Sequence, residues 1–267
     1  MGNEISYCIT TQNLSIGYTT KDQPIVVASN LNIQLEGGKL VCLLGKNGIG
    51  KSTLLRTLTK VQPALKGTVL IKDKPLNLLK NIELSREISV VLTEKLPESN
   101  LTVFELIALG RQPYTNWIGK LDVNDLDKIN EALEQTNTTH LKHKFYYQLS
   151  DGQLQKVLIA RALAQDTAII IFDEPTAHLD IHHTIETFSL LKNLAVKFNK
   201  TIIVSTHEIN LSLQLADELW LMTPTNFICG ETATLIENNS LDQLFDSNLI
   251  EFNKTLKQFI IKPSSHF

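Results

Sequence analysis

The sequence predicts a large α/β fold, and three apolar runs carry the prediction. Leu40-Val41-Cys42-Leu43-Leu44 reads as a buried strand, runs into the turn Gly45 to Thr53, and is followed by a helix-like stretch from Leu54 to Leu58. Ala168 to Phe172 is fully apolar and ends in two carboxylates, Asp173 and Glu174. Thr201 to Thr206 is a third strand-like run and ends in a lone histidine, His207. Short apolar runs of this kind, bounded by turn residues and separated by helical patterns, are those of strands buried in an α/β sheet.

Length and composition fit. The 267 residues allow one large domain with an inserted lobe, and 43% hydrophobic residues are enough for a full core. The net charge of −3, without a lysine or arginine block, points away from nucleic acid. The apolar runs are too short to span a bilayer. Met1 to Ser6 lacks the parts of a signal peptide; it matches a myristoylation pattern by letter but leads straight into a strand-like run. Cys8, Cys42 and Cys229 form no C-x-x-C pair, which fits a reducing setting, and Cys42 reads as a small core residue.

In chain order, Ile5–Ile9, Leu14–Ile16, Ile25–Val27 and Leu31–Leu35 read as strands, and Gly37-Gly38 turns into the run at 40–44. Tyr18 closes a strand-like run, where it either stacks on a planar ligand or is a half-buried surface tyrosine. Gly45-Lys46-Asn47-Gly48-Ile49-Gly50-Lys51-Ser52-Thr53 is a phosphate-binding turn in its required context of strand, glycine-rich loop and helix. Its glycines let several N–H groups face one anion, and the helix behind adds the positive end of its dipole. Lys51 reaches terminal phosphates, and the Ser52 hydroxyl can ligate Mg²⁺.

Gly67–Ile71 is another strand, closed by Pro75, and Ile88–Leu92 is a buried strand followed by Glu94. From about Leu101 to Gln165 the pattern turns helical. Val103–Leu109 carries apolar residues at helical spacing, with Thr102 as N-cap and Gly110 as the stop. Asp125–Thr136 is amphipathic. The loop Gln112 to Trp117, with Tyr114 inside it, is either a partner surface or packing within the lobe.

Leu149-Ser150-Asp151-Gly152-Gln153 opens the helix 154–163, and serves either as a second anion site or as a plain cap. An acidic pair after a buried strand belongs at its carboxyl end, where α/β sheets bind ligands. There Asp173 can hold Mg²⁺ through water and Glu174 can polarise an attacking water. The histidines at 140, 143, 182 and 183 lack a ligand set at metal spacing. Beyond Thr223 a short strand at 226–229 precedes an appendage of helix and strand.

Taken in order, these motifs resemble the ATP-binding subunit of ATP-binding-cassette transporters. Gly45–Thr53 resembles the Walker A motif, Ile169–Glu174 the Walker B, Leu149–Gln153 the signature, Ala177-His178-Leu179-Asp180 the D-loop, His207 the switch histidine and Tyr18 the adenine-stacking aromatic. The resemblance implies a phosphate-loop NTPase fold: a mixed core sheet, an N-terminal antiparallel β-subdomain and an inserted helical subdomain. On that plan, residues 1–225 form the ATP-binding domain, with the insert at about 95–165, and 226–267 the C-terminal appendage.

It also implies a head-to-tail homodimer holding two ATP molecules. Each ATP lies between Gly45, Asn47, Gly48, Gly50, Lys51, Ser52 and Thr53 of one copy and Ser150, Gly152, Gln153 and Asp180 of the other. On the same resemblance Mg²⁺ would be held by Ser52, Asp173 and Glu94, and the catalytic set would be Glu174, His207 and Lys51. The chain would sit at the cytoplasmic face of the membrane, docked on a permease near Glu94 and Tyr114 to Trp117, and would serve a periplasmic or surface substrate-binding protein indirectly. The stretch Leu101–Trp117 is similar to the importer subfamily for iron–siderophore, haem and cobalamin.

Two positions depart from the family pattern. Glu94 stands where a glutamine is usual; a carboxylate there ligates Mg²⁺ but brings negative charge near the γ-phosphate. Asp151 replaces the first signature glycine, which suits a helix N-terminus and also repels ATP. Three rivals remain. A DNA-repair ATPase would need a coiled-coil insert, a zinc hook or a basic face. A small-molecule kinase would not need residues 150–153 or the D-loop. A non-catalytic nucleotide-dependent regulator is left open by Glu94 and Asp151.

Overall fold

The computed structural model describes residues 7–21, 23–92, 96–244 and 249–262. The N-terminal strands are β1 (Tyr7–Thr19), β2 (Pro24–Leu31) and β3 (Gln34–Glu36). Then come β4 (Leu40–Leu44), α1 (Lys51–Leu58), β5 (Lys66–Ile71), β6 (Lys74–Pro75), α2 (Asn81–Leu84) and β7 (Ile88–Val91). The lobe carries α3 (Val103–Ala108), α4 (Val123–Gln135) and α5 (Asp151–Ala164). The chain continues with β8 (Ile169–Asp173), α6 (Ile181–Phe198), β9 (Thr201–Ser205), α7 (Ile209–Leu215), β10 (Glu218–Met222), β11 (Phe227–Glu231), α8 (Thr232–Glu237), β12 (Ile250–Asn253) and β13 (Gln258–Ile261).

The core sheet has the order β11-β10-β4-β9-β8-β7; all neighbours are parallel except β11, which runs antiparallel to β10. A second, antiparallel sheet has the order β2-β1-β5-β6, with β3 also on β1. Every residue of β4, β8, β9 and β10 is buried. Because side chains alternate across a strand, each strand feeds two cores. Leu40, Cys42, Leu44, Ile170, Phe172, Ile202 and Val204 pack toward α5, α6 and the lobe. Val41, Leu43, Ile169, Ile171, Ile203 and Trp220 pack toward α1 and the antiparallel sheet. Burial pushes the Cys42 thiol up to about 12, which suits an inert core residue.

Several expectations change in detail. The two runs read at 5–9 and 14–16 are, over the described residues, a single strand interrupted by a left-handed Asn13 at φ 48°. The run Leu31–Leu35 is split between β2 and β3, because the Ile33 N–H leaves the sheet to donate to Thr11 Oγ1 at 2.9 Å. The expected boundary at 225/226 falls inside the β10–β11 hairpin. There β11 is the edge of the core sheet, held in register with Glu218–Met222 and by the Phe227 ring on Trp220.

Gly110 does not stop its helix. The chain runs on through a 3₁₀ turn at Leu109–Arg111, and a Cβ on Gly110 would lie 2.3 Å from the Arg161 carbonyl oxygen. The glycine is there so that α5 can approach. Gly110→Ala is expected to cost about 1–3 kcal/mol, read by urea denaturation of the full chain.

Candidate functional site

Strand order places the site. β4, β9 and β8 are neighbours in the sheet and parallel, so their carboxyl ends gather the phosphate turn, His207 and the Asp173–Glu174 pair at one edge. Gly48 and Gly50 adopt left-handed φ of 73° and 114°, which a side chain resists. Gly50 also leaves no room for a Cβ, which would lie 2.2 Å from Val27 Cγ1.

Lys51, the first residue of α1, is buried at 5% exposure. Its ammonium donates to the Gly45 carbonyl at 3.0 Å, approaches His207 Nε2 at 3.3 Å and lies 3.7 Å from Glu174 Oε1. Burial pulls its pKa below the usual lysine value, opposed by the Glu174 and Asp173 carboxylates. A buried cation at the first turn of a helix, beside a glycine-rich loop, suits an anion.

Next to it Ser52 Oγ donates to Asp173 Oδ1 at 3.0 Å, and Ser205 Oγ donates to the same oxygen at 2.6 Å. Ser205 Oγ in turn accepts from the Glu174 N–H at 2.9 Å, which fixes Glu174 at a left-handed φ of 49°. Glu174 Oε1 meets His207 Nε2 at 2.8 Å. A non-glycine residue held at positive φ with its carboxylate aimed at a histidine carries the kind of local strain that collects at working sites. Tyr18, 46% exposed, leans over the start of α1 with its hydroxyl 2.7 Å from Thr53 Oγ1.

Ser150 is the N-cap of α5: Gln153 N–H donates to Ser150 Oγ at 3.4 Å, and Ser150 N–H to Gln153 Oε1 at 3.2 Å. The plain-cap reading is therefore correct locally, and it leaves Asp151 exposed at the same terminus. Asp180 is the N-cap of α6 and accepts from the His183 N–H at 2.8 Å. Asp180, His182 and His183 bring ligand-type atoms within 4.8 Å of one another, a grouping that spacing alone did not single out. Glu94 lies outside the described residues.

Comparisons with known proteins give the family. The family model described as "ABC transporter" matches residues 28–177. The chain belongs to the ABC transporter family. Among relatives, the achromobactin transport ATP-binding protein CbrD of Dickeya dadantii is 36% identical over 239 residues, covering 89% of this chain and 87% of that one. The iron(3+)-hydroxamate import ATP-binding protein FhuC of Bacillus subtilis is 34% identical over 202 residues, covering 76% and 74%. Among solved structures, a dimeric ATP-binding cassette in a post-hydrolysis state, bound to ADP and Pi, superposes with a TM-score of 0.72 at 27% identity, covering 84% and 98%.

As an ATP-binding subunit of the ABC transporter family, the chain hydrolyses ATP to drive transport, and the DNA-repair, kinase and regulator readings are not favoured. The ABC transporter cassette fold, with its mixed core sheet, antiparallel β-subdomain and inserted helices, is the one observed. Among the described residues no helix is long and apolar enough to cross a membrane.

Two residues of this cassette escaped the sequence reading. Ser205 ties Asp173 to Glu174; its signal was a hydroxyl in an otherwise apolar strand end, in register with Asp173. Arg111 is 2% exposed, bonded to Asp125 Oδ1 at 2.8 Å and to the Ala164 carbonyl at 2.7 Å, with the Tyr114 ring 4.1 Å away. Its signal was an arginine three residues ahead of an aromatic. Tyr114 is thus partly a packing residue, also met by Arg86 at 5.2 Å, whereas Trp117 is 94% exposed.

Proposed function

We propose that this chain is the ATPase subunit of an importer for a chelated metal cargo, an iron(III)–siderophore complex, haem or cobalamin. It would work as a head-to-tail homodimer on the cytoplasmic face of a permease that receives cargo from a substrate-binding protein. The Ser52–Asp173–Ser205 hydrogen-bond chain beside a buried Lys51 carries the hydrolysis reading. The iron-hydroxamate relative supports the cargo class.

Mg²⁺ fits the site: Ser52 and Asp173 offer hard oxygen donors side by side, as this ion prefers. Ser52 and Asp173 would hold it, with Glu94 as a third oxygen source, and when bound it would neutralise charge on the β- and γ-phosphate oxygens. Gly45, Asn47, Gly48, Gly50 and Thr53 would present backbone and hydroxyl groups to the phosphates, and Tyr18 its ring to the adenine. Lys51 and His207 would stabilise charge developing on the γ-phosphate, and Glu174 would take the proton of the attacking water. Ser150, Gly152, Gln153 and Asp180 would close the site from the partner copy.

Trp117 and Tyr114, with Glu94, would meet the permease. The test is Trp117→Ala in the reconstituted transporter. Cargo uptake in vesicles is expected to fall about 30-fold, the scale of one interface hot spot of about 2 kcal/mol, while hydrolysis by the detached subunit stays at the parent rate. Unchanged uptake would overturn the docking assignment. The cargo class is tested by which ligand stimulates hydrolysis through the co-purifying permease.

A further inference from the structure

His183 sits between two parts of the site that the motifs treat separately. Its backbone N–H donates to Asp180 Oδ1 at 2.8 Å, and its ring Nδ1 lies 2.8 Å from Asp180 Oδ2. A carboxylate only accepts, so Nδ1 carries the proton, and both Asp180 oxygens are engaged by one residue. Those bonds hold the Asp180 carboxyl below the usual carboxylate range.

The other edge of the ring faces Gly152. A Cβ built on Gly152 would lie 2.3 Å from His183 Cδ2 and 2.9 Å from Nε2, so the ring fills the space a side chain would need. Gly152 is the second residue of α5, one turn from a further tie between the same helices, Lys156 Nζ to Glu186 Oε2 at 2.9 Å. The residues at 152 and 156 on α5 thus meet those at 183 and 186 on α6, a matched stripe on each helix.

We propose that His183 is a positioning residue that locks the Ser150–Gly152 end of α5 to the Asp180 turn, so that both present to the partner's ATP as one rigid body. Asp180 is joined to Glu174 through the short turn in which Ala177 N–H donates to the Glu174 carbonyl and Leu179 N–H to the Thr176 carbonyl, both at 3.1 Å. The lock therefore connects the groups that serve the partner's nucleotide to the acid that serves the chain's own. The inference rests on the composite-site reading above.

The test uses full-length chain carrying Glu174→Gln, with Mg-ATP, and reads dimerisation by sedimentation and nucleotide affinity by a fluorescent ATP analogue on dilute monomer. Adding His183→Ala is expected to weaken dimerisation roughly tenfold, the scale of one lost hydrogen bond to a charged group, without changing monomer affinity. His183→Asn, which keeps a donor for Asp180, is expected to recover part of the loss. Gly152→Ala alone is expected to weaken dimerisation at least as much, because its methyl meets the ring. Combined with His183→Ala, which removes the ring, it should cost less than it does alone, so that the two losses fall short of multiplying.

Unchanged dimerisation in His183→Ala, or losses that multiply in the double variant, would overturn the lock while leaving the composite site standing. Failure of the Glu174→Gln parent itself to dimerise with ATP would overturn both. A fall in monomer affinity in His183→Ala would place the residue in nucleotide binding and likewise overturn it.

Discussion

Glu174→Gln is expected to lower ATP turnover by about 10²–10⁴-fold, the range lost when a positioned general base is removed, while ATP still binds and the dimer persists. Geometry sets this expectation. Glu174 is held by two bonds on its backbone N–H, to Ser205 O at 3.1 Å and Ser205 Oγ at 2.9 Å, and its side chain is oriented by His207 Nε2 at 2.8 Å. A glutamine keeps the shape and can still pair with the imidazole, so what it removes is proton-accepting capacity. It also deletes the negative charge 3.7 Å from Lys51 Nζ. That charge opposes burial in setting the lysine's pKa, and it competes with phosphate for the ammonium. Nucleotide affinity in the variant should therefore stay level or rise. Single-turnover hydrolysis and equilibrium binding separate the two effects. Parent-rate hydrolysis would remove Glu174 from the role of base, and weakened binding would mean that its carboxylate organises the phosphate turn.

The parts of this site legible in the sequence are those whose chemistry is local. The phosphate turn announces itself because strand, glycines, lysine and helix are contiguous over residues 40–58. Asp173 stands out because a carboxylate ending a fully apolar run has to be at a strand end, and His207 because it follows a mainly apolar strand-like run. Ser205 and Arg111 were not legible, since what each does depends on partners far along the chain, Asp173 and Ala164. The N-terminal sheet blurred for the same reason. Thr11 is a polar residue in the middle of a strand, yet it is 2% exposed, because its hydroxyl donates to the Leu31 carbonyl and accepts from Ile33. Pattern reading saw a polar gap there; tertiary pairing makes it part of one strand. Gly110 misled in the opposite direction, as a stop signal by type that is a helix-contact glycine by position.

Arg111→Met is expected to destabilise the chain by about 3–5 kcal/mol, the cost of leaving one member of a buried ion pair alone. Asp125, 3% exposed, would keep only the Asp122 N–H at 3.0 Å as a partner of its carboxylate, and the Ala164 carbonyl at the end of α5 would lose its donor. The pH dependence gives the sign. In the parent, burial raises the Asp125 pKa, but the hydrogen bonds from Asp122 and Arg111 outweigh it and hold the carboxyl below its ordinary value. Its contribution is therefore fully present above the unfolded carboxylate pKa and lost as pH falls through the folded one. Without Arg111 the burial effect is less opposed and the folded pKa rises, so the variant's deficit should shrink on acidification. Urea denaturation from pH 7 down to about pH 3, below the free carboxylate value of about 3.9, should show the gap narrowing. Arg111→Met with Asp125→Leu should recover a large part of the loss, since an apolar pair can replace a buried ionic one. A double variant no more stable than the single would mean that Arg111 acts through the Ala164 carbonyl and the Tyr114 ring instead. Arg111 also joins the 112–117 loop, through the Tyr114 ring, to the carboxyl end of the helix whose amino end carries Ser150.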